Sequence, residues 1–303
     1  CKSMQEELEM PFYDREFYSS PEYTVKTSED SLYLNIWTPA EHEDEGLPVI
    51  FWIHGGAFMG GYGSEIEFDG EKYCKEKDIL VTVKYRLNIF GFLAHPWFCE
   101  ESSRHVAGNY GILDQIAALK WVKDNICGFG GDPANITVMG QSAGAMSVQT
   151  LICSPLTENM IAKAVMQSGG GYDNGMNDRM TMSEALEYGT IFVEMTGSET
   201  VEELRAKTPT ELYQTLGRFM KVMKERGCGL VFKPIIDGYV LEKSYDELIE
   251  QGKVKNIPYL LGSNKNDIFV DKKDADAGIK SRLYQGCIAF SHKLEKSGHK
   301  PAY

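Results

Sequence analysis

No stretch of the 303-residue chain approaches the ~18 consecutive apolar residues of a membrane-spanning helix, so a spanning segment of that kind is excluded. Basic residues are in the minority, 31 Lys and Arg against 44 Asp and Glu, for a formal net charge of −13. Nucleic acid and anionic membrane surfaces both select a basic footprint, so neither is expected as the main partner. The seven cysteines, at 1, 74, 99, 127, 153, 228 and 287, are odd in number. They show neither CxxC nor His-rich ligand spacing, which argues against a disulfide framework and against a zinc site. Reduced thiols and a cytoplasmic location are the expectation. The stretch Cys1 to Met10 is polar and acidic and does not read as a signal peptide. Internal repeats, low-complexity tracts and long Pro/Gly/Ser linkers are also missing. The tripeptide Asn135-Ile136-Thr137 matches a glycosylation acceptor but opens a predicted buried strand, where chance explains it better.

What is there is an ordinary globular composition, 43% hydrophobic and 25% charged. A chain of this length buries roughly three quarters of its unfolded surface and needs no disulfide or metal staple. Short apolar runs alternate with helical patterns, the signature of a mostly parallel sheet covered on both faces. Strands are predicted at 32–37, 49–53, 80–85, 136–139, 164–167 and 259–261. Val49-Ile50-Phe51-Trp52-Ile53 is the near-continuous apolar run of a strand buried on both sides. Ile112, Ile116, Leu119, Val122 and Ile126 recur at helical spacing, with Lys120, Lys123 and Asp124 opposite, and predict a helix over 112–126. Gly128 to Gly131 with Asp132-Pro133 ends it. The patterns are read as one domain over residues 1–303, with helices over about 172–230 forming a cap inserted after Gly169-Gly170-Gly171.

One pentapeptide carries chemistry. Gly140-Gln141-Ser142-Ala143-Gly144 follows the apolar strand at 136–139 and precedes a helical pattern, Ala143 to Leu151. That strand–turn–helix setting is what a serine nucleophile elbow requires, because the serine sits on a sharp turn whose flanking residues must lack bulk. Chance alone would give roughly 0.2 matches to the bare pattern in this composition, so the flanking strand and helix supply the weight. The helix starting at Ala143 points its positive end at the serine, favouring negative charge that develops during attack. The bland alternative is a tight glycine turn with an idle serine. A second loop, His54-Gly55-Gly56-Ala57-Phe58, follows the strand ending at Ile53 and could turn backbone N–H groups toward an oxyanion. Phe58, Met59, Tyr62 and Phe92 lie near these motifs, as a substrate pocket or as ordinary core.

The motifs together resemble the type B carboxylesterases, a family that includes the cholinesterases. The resemblance runs through Glu29-Asp30-Ser31-Leu32-Tyr33-Leu34-Asn35-Ile36-Trp37, Tyr85-Arg86-Leu87-Asn88-Ile89-Phe90-Gly91-Phe92-Leu93 and Gly108-Asn109-Tyr110-Gly111-Ile112-Leu113-Asp114-Gln115. It continues through Phe129-Gly130-Gly131-Asp132-Pro133, the elbow, Gln167-Ser168-Gly169 and Pro234-Ile235-Ile236-Asp237-Gly238. It implies an α/β-hydrolase fold with a helical cap, and hydrolysis of small or aryl carboxylic esters through an acyl-enzyme on Ser142. It implies an oxyanion hole from the backbone N–H groups of Gly56, Ala57 and Ala143. It needs no metal or organic cofactor, and suggests that Arg86 and Asp114 form a buried structural ion pair.

The resemblance places the triad acid in Gly262-Ser263-Asn264-Lys265-Asn266-Asp267. Asp267 stands where most members carry Glu, with Asp271 and Asp274 as alternatives. Serine needs a base within hydrogen-bond reach. The family's histidine follows a segment that Gly298-His299-Lys300-Pro301-Ala302-Tyr303 resembles, so the base is expected beyond Tyr303 and the chain reads as trimmed at both ends. His54 belongs to the oxyanion loop, and His292 and His299 precede the expected place. Cholinesterase activity is disfavoured because Phe12 to Ser28 holds no tryptophan for a quaternary ammonium, only Phe12, Tyr13, Phe17, Tyr18 and Tyr23. Gln141 replaces the Glu common before the serine, and Ser31 stands where secreted members often have a disulfide cysteine, removing a partner from Cys1. These features point to a bacterial cytoplasmic esterase. The rival class is a non-catalytic binding or adhesion module; peptide or lactone hydrolysis would use the same machinery.

Overall fold

The computed structural model describes residues 1–5, 25–176, 180–268, 270–300 and 302–303. The aromatic residues between Phe12 and Tyr23 lie outside the described residues. Among the described residues six strands form one sheet: β1 (Leu34–Trp37), β2 (Leu47–Ile53), β3 (Ile79–Val83), β4 (Gly131–Gln141), β5 (Lys163–Gln167) and β6 (Tyr259–Gly262). Their order across the sheet is β1-β3-β2-β4-β5-β6. Only β1 runs antiparallel to its neighbour; every other pairing is parallel. This is the mostly parallel sheet that the alternating pattern predicts. β4 starts five residues earlier than its apolar core suggests, because Gly131 pairs with Leu47 across a register shift.

Each parallel pair needs a crossover connection, usually through a helix. The helices that matter here are α1 (Tyr110–Asn125), α2 (Ala143–Cys153), α3 (Met182–Thr196), α4 (Val201–Ala206), α5 (Pro209–Glu225) and α6 (Arg282–Lys296). α1 buries Ile112, Leu119 and Val122 as its spacing requires, and Gly130 at φ 77° closes the turn that follows. α2 lies wholly inside, with all eleven residues buried, between β4 and β5. Phe51, Ile53, Val81, Val138, Leu119 and Leu151 are completely buried in one continuous core that also takes in Phe192 of α3 and Phe219 of α5. Burial of each such side chain contributes about 1.5–3 kcal/mol.

The chain leaves β2 toward β3 on one side, while β4 lies on the other. The direction of winding therefore reverses between β2 and β4, and in open sheets ligands bind in the crevice at the carboxyl ends of strands flanking that reversal. His54 follows β2 and Ser142 follows β4. Asn109, buried at the start of α1, donates to the Ile235 carbonyl at 2.9 Å and to Asp237 at 2.8 Å, which joins two of the sequence blocks that carry the resemblance. Arg86 and Asp114 form a two-pronged pair at 2.8 and 2.7 Å. It is not the buried pair expected: the Asp114 side chain is 8% exposed but that of Arg86 is 41% exposed, so water reaches the guanidinium.

Candidate active site

Ser142 has φ 55° and ψ −123°, a conformation that costs a non-glycine residue about 1–3 kcal/mol and persists only where the surroundings enforce it. The flanking glycines show how. A Cβ on Gly140 would lie 2.5 Å from the carbonyl of Gly144, and one on Gly144 would lie 2.1 Å from the carbonyl oxygen of Ile53. The Ser142 N–H donates to the Gln167 carbonyl at 2.9 Å, and its own carbonyl accepts from Met146 at 3.0 Å. These contacts hold the serine proud of the sheet at the N-terminus of α2, partly exposed.

The glycine loop after β2 meets the elbow directly. A Cβ on Gly55 would lie 2.8 Å from the Gln141 carbonyl oxygen and 3.3 Å from Cβ of Ser142. Gly56 has φ 101°, while Ala57 and Phe58 have φ 55° and 59°. Gly56 and Ala57 are exposed, and Ala143 is buried at the first position of α2. Among the described residues, none of the N–H groups of Gly56, Ala57 and Ala143 donates to a backbone carbonyl in a loop or turn. A developing oxyanion needs N–H donors left available in this way beside the nucleophile.

His54, named from the glycine loop, is 1% exposed beneath it. Burial drives its pKa down to about 4, with the Gly55 carbonyl opposing and Lys84 assisting. The ring is therefore neutral at pH 7. Nδ1 lies 2.9 Å from the Gly55 carbonyl, which requires the proton on Nδ1, and the ring stacks on Tyr85 at 4.4 Å. Tyr85 in turn donates to the His54 carbonyl at 3.0 Å. His54 is thus a support for the loop. Among the described residues no histidine is hydrogen-bonded to Ser142 or to Asp267.

Asp267 follows β6. Its carboxylate accepts from the Ser168 hydroxyl at 2.6 Å and from the backbone N–H groups of Asn264 and Ile268, each at 2.9 Å. Burial alone would raise its pKa, but the Ser168 hydroxyl and the two N–H groups outweigh it and hold the carboxyl below the ordinary range. Asp271 is committed elsewhere, capping the short helix at 272–276 by accepting from the Asp274 N–H at 2.7 Å. Ser168 belongs to a sequence motif that assigns it no role. The available signal was its place immediately after β5, matching that of Ser142 immediately after β4.

Of the four apolar residues near the loops, Phe58 and Phe92 are core. They are 0% and 3% exposed, and their rings pack at 5.0 Å. Phe58 sits in the main core cluster, so its ring does not line an open pocket. Met59 and Tyr62 are partly exposed.

The carboxylesterase family model matches residues 3–285. A fumonisin B1 esterase from Sphingopyxis macrogoltabida is 38% identical over 260 residues, covering 85% of this chain and 46% of that protein. A para-nitrobenzyl esterase from Bacillus subtilis is 37% identical over 245 residues, covering 80% and 48%. Among solved structures, a thermophilic PNB esterase aligns with a TM-score of 0.79 at 29% identity, covering 96% of this chain and 66% of that one. The Geobacillus stearothermophilus carboxylesterase EST55 aligns with a TM-score of 0.68 at 39% identity, covering 78% and 47%. The chain spans about half the length of the curated relatives it matches. The architecture is that of an α/β hydrolase, and the chain belongs to the carboxylesterase family.

Proposed function

We propose that the whole protein is a serine carboxylesterase acting on small or aryl esters. Ser142 Oγ attacks the ester carbonyl, and the N–H groups of Gly56, Ala57 and Ala143 hold the oxyanion. The alcohol leaves, and water then releases the acid from the acyl-enzyme. Asp267 is the triad acid, orienting a histidine that is not among the contacts described above. Residues 172–230 form the cap of a single domain. The observation that carries this reading is Ser142 itself, strained at φ 55° beside three N–H groups that have no loop or turn carbonyl partner among the described residues. A rival reading as a binding module gives no reason to retain that strain.

The substrate class rests on the relatives, two of which are named for ester hydrolysis. Free cysteines at 1, 74, 99, 127, 153, 228 and 287 support a reducing, cytoplasmic location, which fractionation of the source cells tests. The deciding experiment is turnover of para-nitrophenyl acetate by the whole protein and by Ser142→Ala, with fluorophosphonate labelling of both. Loss of turnover and label in the variant is expected. Equal labelling, or no hydrolysis of any short ester by the unaltered protein, overturns the proposal.

A further inference from the structure

The loop carrying Gly56 and Ala57 is expensive to hold. Gly56, Ala57, Phe58 and Gly61 all have positive φ, and two of them are not glycine. Such a turn keeps its shape only if its surroundings over-determine it. Inside the turn, the Met59 and Gly60 N–H groups both donate to the Gly56 carbonyl, at 2.9 and 3.1 Å. On one side Asn88 donates its backbone N–H to the Phe58 carbonyl at 2.7 Å.

On the other side stands Gln5, 8% exposed. Its Oε1 accepts from the Gly61 N–H at 2.9 Å, and its Nε2 donates to the Gly61 carbonyl at 3.0 Å. One side-chain amide thus grips both polar groups of one loop residue. Gly61 bears on the functional part of the loop by contact as well as by chain. A Cβ there would lie 2.6 Å from Nδ1 of His54 and 2.8 Å from the Gly55 carbonyl oxygen, while one on Gly56 would lie 3.4 Å from the Gly61 nitrogen. The segment bearing Gln5 is itself tied down. Lys84 Nζ donates to the Cys1 carbonyl at 2.6 Å, the Lys2 N–H to the Lys26 carbonyl at 2.9 Å, and Asn88 Nδ2 to the Met4 carbonyl at 3.0 Å. Ser31 donates to Ser3 at 3.2 Å. Residues 1–5 are a strap laid across the back of the loop.

We infer that Gln5 is a positioning residue of the oxyanion hole, acting through Gly61 on the N–H groups of Gly56 and Ala57. This rests on the proposed ester hydrolysis. Its signature is a defect confined to the transition state, because an ester ground state does not use the aligned donors as the oxyanion does.

The test compares the whole protein with Gln5→Ala and Gln5→Glu, measuring kcat and KM on para-nitrophenyl acetate and inhibition by an aryl trifluoromethyl ketone, whose serine adduct carries an oxyanion. For Gln5→Ala, kcat/KM should fall on the order of 10- to 100-fold, less than the ~10²–10³-fold loss of an oxyanion donor itself. KM should stay within about twofold while the ketone weakens in step with kcat/KM, as expected for an interaction made in the transition state. Gln5→Glu keeps the size and the acceptor for Gly61 but loses the donor, so it should fall too; a packing role predicts that it does not. Should Gln5→Ala fail to fold, Gln5→Glu decides the matter by the same measurements. Unaltered kcat/KM in either folded variant, or a loss carried by KM with ketone affinity unchanged, overturns the inference. If the unaltered protein hydrolyses no ester, it is the proposed function that fails.

Discussion

Gly144→Ala tests whether the serine turn and the proposed oxyanion loop are locked to each other. The added Cβ would lie 2.1 Å from the carbonyl oxygen of Ile53 and 3.0 Å from that of His54. Both are main-chain atoms where β2 passes into the glycine loop, and Phe51, Ile53 and Val138 nearby are completely buried. Close packing leaves no slack there, so about 1 Å must be found by lifting α2 or withdrawing the end of β2. Either movement separates Ser142 from Gly56 and Ala57. Overpacking of this kind costs about 1–3 kcal/mol. A 1 Å misplacement of reacting groups can cost ~10²-fold in rate. The expected result is a fall of several degrees in Tm together with an aryl-ester kcat/KM reduced roughly 100-fold. Gly217→Ala is the control, since that glycine lies exposed on α5 and the new methyl would meet nothing within 4 Å beyond its own stretch of helix. It should gain about 0.5–1 kcal/mol without touching activity, from reduced chain entropy in the unfolded state. A Gly144→Ala protein with unaltered Tm and unaltered kcat/KM would refute the reasoning.

Asp267→Asn should lower kcat by ~10⁴-fold if Asp267 is the triad acid, because the histidine it orients would take the wrong tautomer; a loss under about tenfold would point to another acid. Ser168→Ala removes the 2.6 Å bond that helps hold the Asp267 carboxyl below the ordinary range. A depressed pKa contributes stability that is complete above the unfolded value and lost as pH falls through the folded value, so this variant should acid-unfold at a higher pH than the unaltered protein, followed by fluorescence; coincident acid transitions would count against it. Glu65 has the opposite sign. Burial lifts its pKa to about 7 from 4.5, against the Tyr62 N–H, so ionising it costs stability that declines as pH rises from 4.5 through 7. Glu65→Gln keeps the acceptor and should be more stable by on the order of 2–3 kcal/mol near pH 8 but close to neutral near pH 4, by urea unfolding; a gain independent of pH would sink the assignment.

Legibility in the sequence followed how narrowly the backbone restricts residue choice. At Gly140 and Gly144 any side chain would strike main-chain atoms, so the requirement is written as glycine and the elbow can be read. The buried strands are similar, since β3 is buried at every position and only an apolar run satisfies it. Phe58 and Phe92 illustrate the contrary case. Pocket walls and cores use the same residues, and only the packing of the two rings on each other, 5.0 Å apart and buried, separates the two readings. Ser168 and Asp267 are 99 residues apart and meet only because β5 and β6 run parallel in register, Gln167 opposite Gly262, so that the residues leaving both strands emerge at one edge. Gln5 is the extreme. Its partners are the N–H and carbonyl of a residue 56 positions away, groups that nearly every residue possesses. A side chain that grips backbone does not itself dictate its partner's identity; Gly61 is glycine for its φ of 97° and its closeness to His54, so the pairing leaves no sequence pattern. The supports of the proposed oxyanion hole are therefore less visible in sequence than the glycine loop that would form it.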